Sequence, residues 1–338
     1  MLRIVIGTYS HLLYGVDVDL EKKESKPLWL FEAHESALTA LATNGLQLAS
    51  TSSDETIKIY DHSRNIQIAD LAIPTDLPNA ISRSLCFTKK HLLACHDHGQ
   101  ITMWSRDSWL LVHTLKSSSQ KGISGIAVHP SEKLAFSVGG DSKLRLWDLI
   151  RGKGGKVLPL SFIPEGILFL NDSSFVVMSR RGLEGFKLDL SSFFSHKSTT
   201  QLNCLCLFHS NLIVGCDNGS IKVFDVSSGD VVKEFVAHEK RVKAVYAVSD
   251  YLISASSDGS VHIWDKDFNK VMELQAPEEN RITCMVAMES AVNASVKDTA
   301  KFTEESNESE SDSDSSESSD ESTEKATTSD RTKRARVE

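Results

Sequence analysis

Apolar residues fall in short runs along this chain, as in VKAVYAV, YLISAS, SVHIWD and KVMELQA between residues 242 and 276, and Gly, Asp, Asn or Ser punctuate them. Runs of this length, rich in Val, Ile, Leu and aromatic side chains and bounded by turn formers, predict β-strands joined by tight turns. No window sustains the apolar period of a helix. An aromatic closes the third run of each group, usually before Asp, at Tyr60, Trp104, Trp147, Phe186, Phe224 and Trp264, with spacings of 44, 43, 39, 38 and 40 residues. Four strands in about 40 residues describe one blade of a β-propeller. Six such units lie between His34 and Pro277. The chain ends supply a seventh: LRIVIGTY, HLLYGVDV and PLWLFEAH give three strands, and RITCMVAM at residues 281–288 gives the fourth. Pairing the two ends in one blade closes the ring and removes an exposed sheet edge. The expected fold is therefore all-β, a seven-bladed propeller over residues 1–290. The fifth unit, around SRRGLEGFKLDL, lacks an aspartate turn and is the least regular.

Polar residues repeat on the same frame. STSSDETIKIYD at 50–61 and SASSDGSVHIWD at 254–265 are each preceded by a histidine, which gives the sets His34, Ser50, Asp54, Tyr60 and His238, Ser254, Asp258, Trp264. Both span 26 residues from histidine to aromatic. The unit ending at Trp147 keeps Ser137 and Asp141 without the histidine, and those ending at Trp104 and Phe224 carry HDHG and CDNG at the turn and lack the serine. A histidine, a serine and an aspartate recurring together have the composition of a hydrolase triad. Catalysis, however, needs an exposed nucleophile, a cleft and an oxyanion site in one place. Repetition argues for a hydrogen-bonded frame, since imidazole and hydroxyl donate and accept, carboxylate accepts and indole donates.

Charge separates the chain into two parts. Residues 293–338 hold 7 Lys and Arg against 13 Asp and Glu, which leaves 30 against 33 for residues 1–292. The run EESNESESDSDSSESSDESTE at 304–324 has no aliphatic or aromatic side chain, so residues 291–338 are expected to form a disordered acidic tail. Ser309, Ser311 and Ser318 each precede an acidic residue by three positions, the pattern of acidophilic kinase sites. Lys333, Arg334 and Arg336 form a terminal basic patch suited to a nuclear import receptor.

The remaining candidates have plainer readings. Six cysteines, Cys86, Cys95, Cys204, Cys206, Cys216 and Cys284, show no CxxC pair and read as small buried residues. His96 and His98 of HDHG have no third ligand placed nearby and read as a solvated turn, so no metal is expected. RGKGGK at 151–156 lacks the phosphate-loop ending and reads as a flexible turn. Neither a signal peptide nor an apolar run long enough to span a bilayer is present, so an intracellular protein with no membrane partner and no cofactor is expected.

The segments SDETIKIYD (53–61), HPSEKLAFSVGGDSKLRLWDLIRGK (129–153) and FVAHEKRVKAVY with SASSDGSVHIWD resemble the WD-repeat family, and within it the p21-activated-kinase-interacting proteins and their fungal relatives. The resemblance covers most of residues 1–290. It implies a non-catalytic, protein-binding scaffold of the nucleus and nucleolus that assists assembly of the large (60S) ribosomal subunit and rRNA processing. Its partners would be ribosomal proteins or assembly factors of pre-60S particles, with rRNA a further candidate. The alternative it implies is an adaptor that binds a p21-activated kinase and restrains it. It also implies that the polar sets are structural. Partner contacts are expected on the loops joining blades and on the turns between second and third strands, at Lys240, Arg241, Ser53 and Ser257. An acidic tail suits the shielding of basic ribosomal proteins.

Overall fold

The computed structural model describes residues 1–74, 81–117, 121–277 and 280–290. The tail with its serines Ser309, Ser311 and Ser318 and its basic patch Lys333, Arg334 and Arg336 lies outside the described residues. Seven four-stranded antiparallel sheets account for every strand among them. Numbered around the ring, blade 1 takes its first strand from the C-terminal Ile282–Glu289, followed by Leu2–Thr8, Leu12–Asp19 and Glu24–Glu32. Blades 2 to 7 begin at Leu38–Thr43, Ser82–Phe87, Ile123–Val128, Pro164–Phe169, Leu202–Phe208 and Val242–Val248, and each runs through its four strands in chain order. These first strands pack against one another in succession and surround the axis. The irregular fifth unit forms a complete blade, with its third strand at Gly182–Lys187.

Position in the blade explains composition. Second strands such as Gln47–Ser52 and Tyr251–Ser256 are covered by blades on both faces and are buried almost throughout, which is why small residues alternate with aliphatic ones there. Fourth strands face solvent and carry the polar residues. Apolar clusters fill the gaps between blades, for instance Ala127, Phe136 and Val138 against Phe169, Phe175 and Phe186. In that gap the phenylalanines pack in stacked and tilted pairs at centroid distances of 4.8–5.9 Å, so blade 5 is held by aromatic packing where blades 2, 3, 4 and 7 use polar frames. RGKGGK is a turn only at Arg151 and Gly152, since Lys153–Pro159 is a strand. Its glycines admit the neighbouring aromatic, since a Cβ on Gly154 would lie 3.3 Å from the Trp147 ring.

Each first strand carries one extra residue after its opening position, at Thr39, Arg83, Ser124, Glu165, Asn203, Lys243 and Thr283. Bulges of this kind leave one residue outside the ladder and re-aim its side chain. Three of the seven reach the next blade: Thr39 Oγ1 donates to Ser82 O at 2.6 Å, Ser124 Oγ to Pro164 O at 2.8 Å and Asn203 Nδ2 to Val242 O at 3.1 Å. Blades 1 and 2 are tied instead by Arg3, which belongs to a buried ion pair within blade 1 and reaches His62 of blade 2. Arg3 forks onto Asp17 at 2.8 and 2.9 Å, and its Nη1 lies 3.2 Å from His62 Nδ1 while also donating to the His62 carbonyl. His62 Nε2 lies 2.8 Å from Gly45 O, which places the ring proton on Nε2 and leaves Nδ1 to accept from arginine.

Candidate functional site

The turn between second and third strands decides where each polar set forms. It places one residue in the left-handed region, at Glu55, Gly99, Ser142, Gly219 and Gly259 in blades 2, 3, 4, 6 and 7. At Gly219 no other residue fits, because a Cβ would stand 2.1 Å from His238 O. The aspartate preceding this position folds back onto its own turn. Asp258 Oδ1 accepts from Ser260 N at 3.0 Å and Ser260 Oγ at 2.7 Å, and Asp54 Oδ1 likewise takes both groups of Thr56.

In blade 7 the protons follow one direction. Trp264 Nε1 donates to Ser254 Oγ at 2.8 Å, and Ser254 Oγ is 2.8 Å from His238 Nε2. His238 Nδ1 is 2.8 Å from Ser260 Oγ, whose own proton goes to Asp258. The chain is satisfied only if the imidazole carries its proton on Nδ1 and accepts from serine on Nε2. Blade 2 is still closer to a triad in outline: His34 Nε2 is 2.7 Å from Ser50 Oγ, and its Nδ1 is 3.1 Å from Asp54 Oδ2 and 2.9 Å from Thr56 Oγ1. Ser50 and Ser254 have no exposed surface, and His34 and His238 are buried as well. A nucleophile sealed on all sides has no route to a substrate. These sets brace the blade.

The sets are not equal. Tyr60 stands where blade 7 has Trp264, but its hydroxyl makes no hydrogen bond of normal geometry among the described residues. Burial pushes its pKa up to about 12, with Ser50 close enough to offset part of the rise. Ser254→Ala strands both the indole N–H and the imidazole, whereas Ser50→Ala strands the imidazole alone. The first should lower stability by about 2–3 kcal/mol and the second by about 1–2 kcal/mol, as read from urea unfolding. Equal losses would show that Tyr60 depends on Ser50 as Trp264 depends on Ser254.

Blades 3 and 4 reach the same end with other residues. In blade 4 Trp147 Nε1 donates to Ser137 Oγ at 2.8 Å, and Arg145 forks onto Asp141 in place of a histidine. In blade 3 the reading of HDHG as a solvated turn holds for exposed His98 but not for His96, which has no exposed surface. His96 bonds Ser82 Oγ at 3.0 Å and Thr102 Oγ1 at 2.8 Å, and Thr102 also accepts from Trp104 Nε1 at 3.1 Å. A threonine two positions before the aromatic thus replaces the missing serine. The omitted partners Thr56, Ser260 and Thr102 had a local signal, a hydroxyl residue two positions after the turn Asp or before the aromatic.

Burial holds the His34 pKa below its ordinary value, with Asp54 opposing, and brings His238 down to about 4, with His262 adding to the effect. The unfolded chain therefore takes up a proton on this imidazole near pH 6.5 and the folded chain only near pH 4. The stability that neutral His238 supports is complete above pH 6.5 and is lost as pH falls through that window, by about 3 kcal/mol. His238→Gln should flatten the fall in unfolding free energy between these limits. Equal pH slopes in the two proteins would refute it.

Lys240, Arg241, Ser53 and Ser257 occupy one rim, formed by the second-to-third-strand turns and the loops that join blades. Ser257 N donates to Arg241 O at 3.1 Å and Ser53 N to Ala37 O at 3.0 Å. Ser53 belongs to blade 2, so blade 1 separates it from the other three. Lys240 and Ser257 instead line an open polar groove of about 750 Å³ with Asp258, His262, Lys270 and Glu273. Its stacked pair His238 and His262, with centroids 4.2 Å apart, forms the groove floor, where His262 Nδ1 is fixed on Ala237 O at 2.7 Å. Arg180 of SRRG pairs with Glu165 at 3.2 Å. No group of three or more metal-binding side chains occurs among the described residues.

Four segments, residues 25–61, 109–148, 189–225 and 229–265, match the family model described as WD domain, G-beta repeat. The chain is 71% identical to Shk1 kinase-binding protein 15 of Schizosaccharomyces pombe, over 88% of this chain and 87% of that protein. It is 29% identical to a p21-activated protein kinase-interacting protein 1-like of Danio rerio, over 84% and 80% of the two chains. Protein MAK11 of Saccharomyces cerevisiae is 23% identical over 86% and 84%.

Proposed function

Because the chain belongs to the WD-repeat family, in the branch of the p21-activated-kinase-interacting proteins, we propose that this scaffold acts by binding a p21-activated-type protein kinase and restraining it. The identity of 71% to a protein named for binding the Shk1 kinase, over 88% of this chain, together with the relatives named for interaction with p21-activated kinases, carries this reading. The closed ring agrees with it, since the serines of its polar sets are fully buried and its rim presents Lys240, Arg241 and Ser257 beside backbone pinned by hydrogen bonds. Restraint then arises from occupancy of a kinase surface and involves no bond-making by the scaffold.

A second reading, a scaffold in assembly of the large ribosomal subunit in the nucleolus, is favoured by the resemblance of residues 129–153 and by the basic patch Lys333, Arg334 and Arg336. Sucrose-gradient sedimentation of tagged protein separates the two. Kinase recovered with a slowly sedimenting pool supports the first, and comigration with pre-60S particles supports the second. Lys240→Glu with Arg241→Glu should abolish the association that the rim makes, and full retention of both associations would move the interface off this rim. Loss of nuclear signal on changing Lys333, Arg334 and Arg336 to Ala would support the import role.

A further inference from the structure

Resting on the scaffold reading, we infer that Arg241, Lys243 and Arg281 form a binding site on the rim of blades 7 and 1 for a short acidic peptide segment of a partner protein. The geometry starts from the blade repeat. Arg241 and Arg281 each stand just before a first strand, and their carbonyls accept from Ser257 N at 3.1 Å and Tyr9 N at 2.9 Å, so both are anchored alike on adjacent blades. The corresponding residues Ala37, Ile81, Gly122 and Gln201 in four other blades are uncharged.

Lys243 is the bulge residue between the two arginines. Its neighbours around the ring, Asn203 and Thr283, spend their polar groups on backbone carbonyls at 3.1 and 3.0 Å. The half-buried Lys243 ammonium makes no ion pair or hydrogen bond among the described residues. Burial lowers its pKa first, and Arg281 and Arg241 lower it further. Asp217 pairs with Arg241 at 3.7 Å and offsets part of the Lys243 shift, and Arg281 rests over the Tyr9 ring at 5.7 Å. Among the described residues, three cations thus gather on adjacent blades with one carboxylate in contact. An ammonium held among like charges is relieved by an incoming anion, and a single guanidinium grips carboxylate or phosphate oxygens by two parallel bonds.

The size and surroundings of the cluster select the class of ligand. Elsewhere on the rim Arg83 is matched by Asp97 at 2.8 Å and Arg180 by Glu165 at 3.2 Å. Residues 1–292 carry 33 acidic against 30 basic groups. A long phosphate backbone would leave the cluster and meet carboxylates, whereas a few consecutive Asp, Glu or phosphoserine residues end with it.

The test is fluorescence anisotropy on the full chain with three labelled probes: an Asp/Glu peptide, the same length of Ser/Gly peptide bearing phosphoserines, and single-stranded RNA. Binding of either peptide, weakened roughly tenfold or more by Arg241→Gln with Arg281→Gln and by Lys243→Met, is expected. The stronger peptide shows whether carboxylate or phosphate is the natural group. The two arginines are exposed, so their replacement should leave the melting temperature unchanged, which separates lost binding from lost fold. Arg64→Gln, outside the cluster, should bind as the parent does. Peptide binding that ignores the cluster variants, or binding of RNA alone, overturns the inference. Kinase retained by a chain that binds neither peptide also overturns it and leaves the scaffold reading standing, whereas loss of every partner removes both.

Discussion

A chain ending after Asn280 should yield no folded propeller, whereas one ending after Ser290 should melt as a single cooperative unit. The first deletion removes the inner strand of blade 1, which pairs with Leu2–Thr8 from Leu2↔Glu289 to Thr8↔Ile282. Ile282, Met285, Val286 and Met288 are all buried there. At about 1.5–3 kcal/mol for each large apolar side chain, their loss amounts to roughly 6–12 kcal/mol. A whole domain has only about 5–15 kcal/mol of stability. The deletion also bares the fully buried strand Leu2–Thr8 as an unpaired edge that invites aggregation. Circular dichroism and size-exclusion chromatography of both chains decide the matter. A monomeric, cooperatively melting product of the shorter chain would show that six blades suffice.

Arg3→Met should cost about 3–5 kcal/mol, because it leaves the Asp17 carboxylate buried and unpaired and frees the His62 carbonyl. Joint replacement, Arg3→Met with Asp17→Leu, removes both charges and should recover most of that loss, since a buried pair is worth little more than apolar side chains of similar volume. Urea unfolding of the two single variants and the double variant provides the cycle. If the double variant is as unstable as the sum of the singles, the charges do not act as a pair, and the bonds to His62 carry the energy instead.

The ring, its closure and the aromatic on six of the seven third strands were legible in the chain because each rests on spacing. Tyr60, Trp104, Trp147, Phe186, Phe224 and Trp264 all lie where the 38–44-residue period puts them. The replaced frames were harder to see. His96 looked like a turn residue because its partners Ser82 and Thr102 are 14 and 6 positions away and match no repeat. Arg145 serves Asp141 from the third strand, where the blade 7 pattern would have sought a preceding histidine. The bulges gave no sign at all, since one extra residue barely disturbs a short apolar run. The cationic site was legible only in part, because KRVK at 240–243 reads as a short basic run in a loop until the ring places Arg281 on the adjacent blade.

The seven bulges separate architecture from address. A residue that the ladder skips can be exchanged without shifting the register of its strand, so a new specificity can be cut at the mouth of the ring while the sheets below are untouched. Thr39, Ser124 and Asn203 are spoken for as stitches between blades. Thr283 spends its hydroxyl on its own blade and Arg83 and Glu165 already face opposite charges, which leaves Lys243 as the tooth of the key, and recutting it is the shortest path to a toroid that greets a different guest.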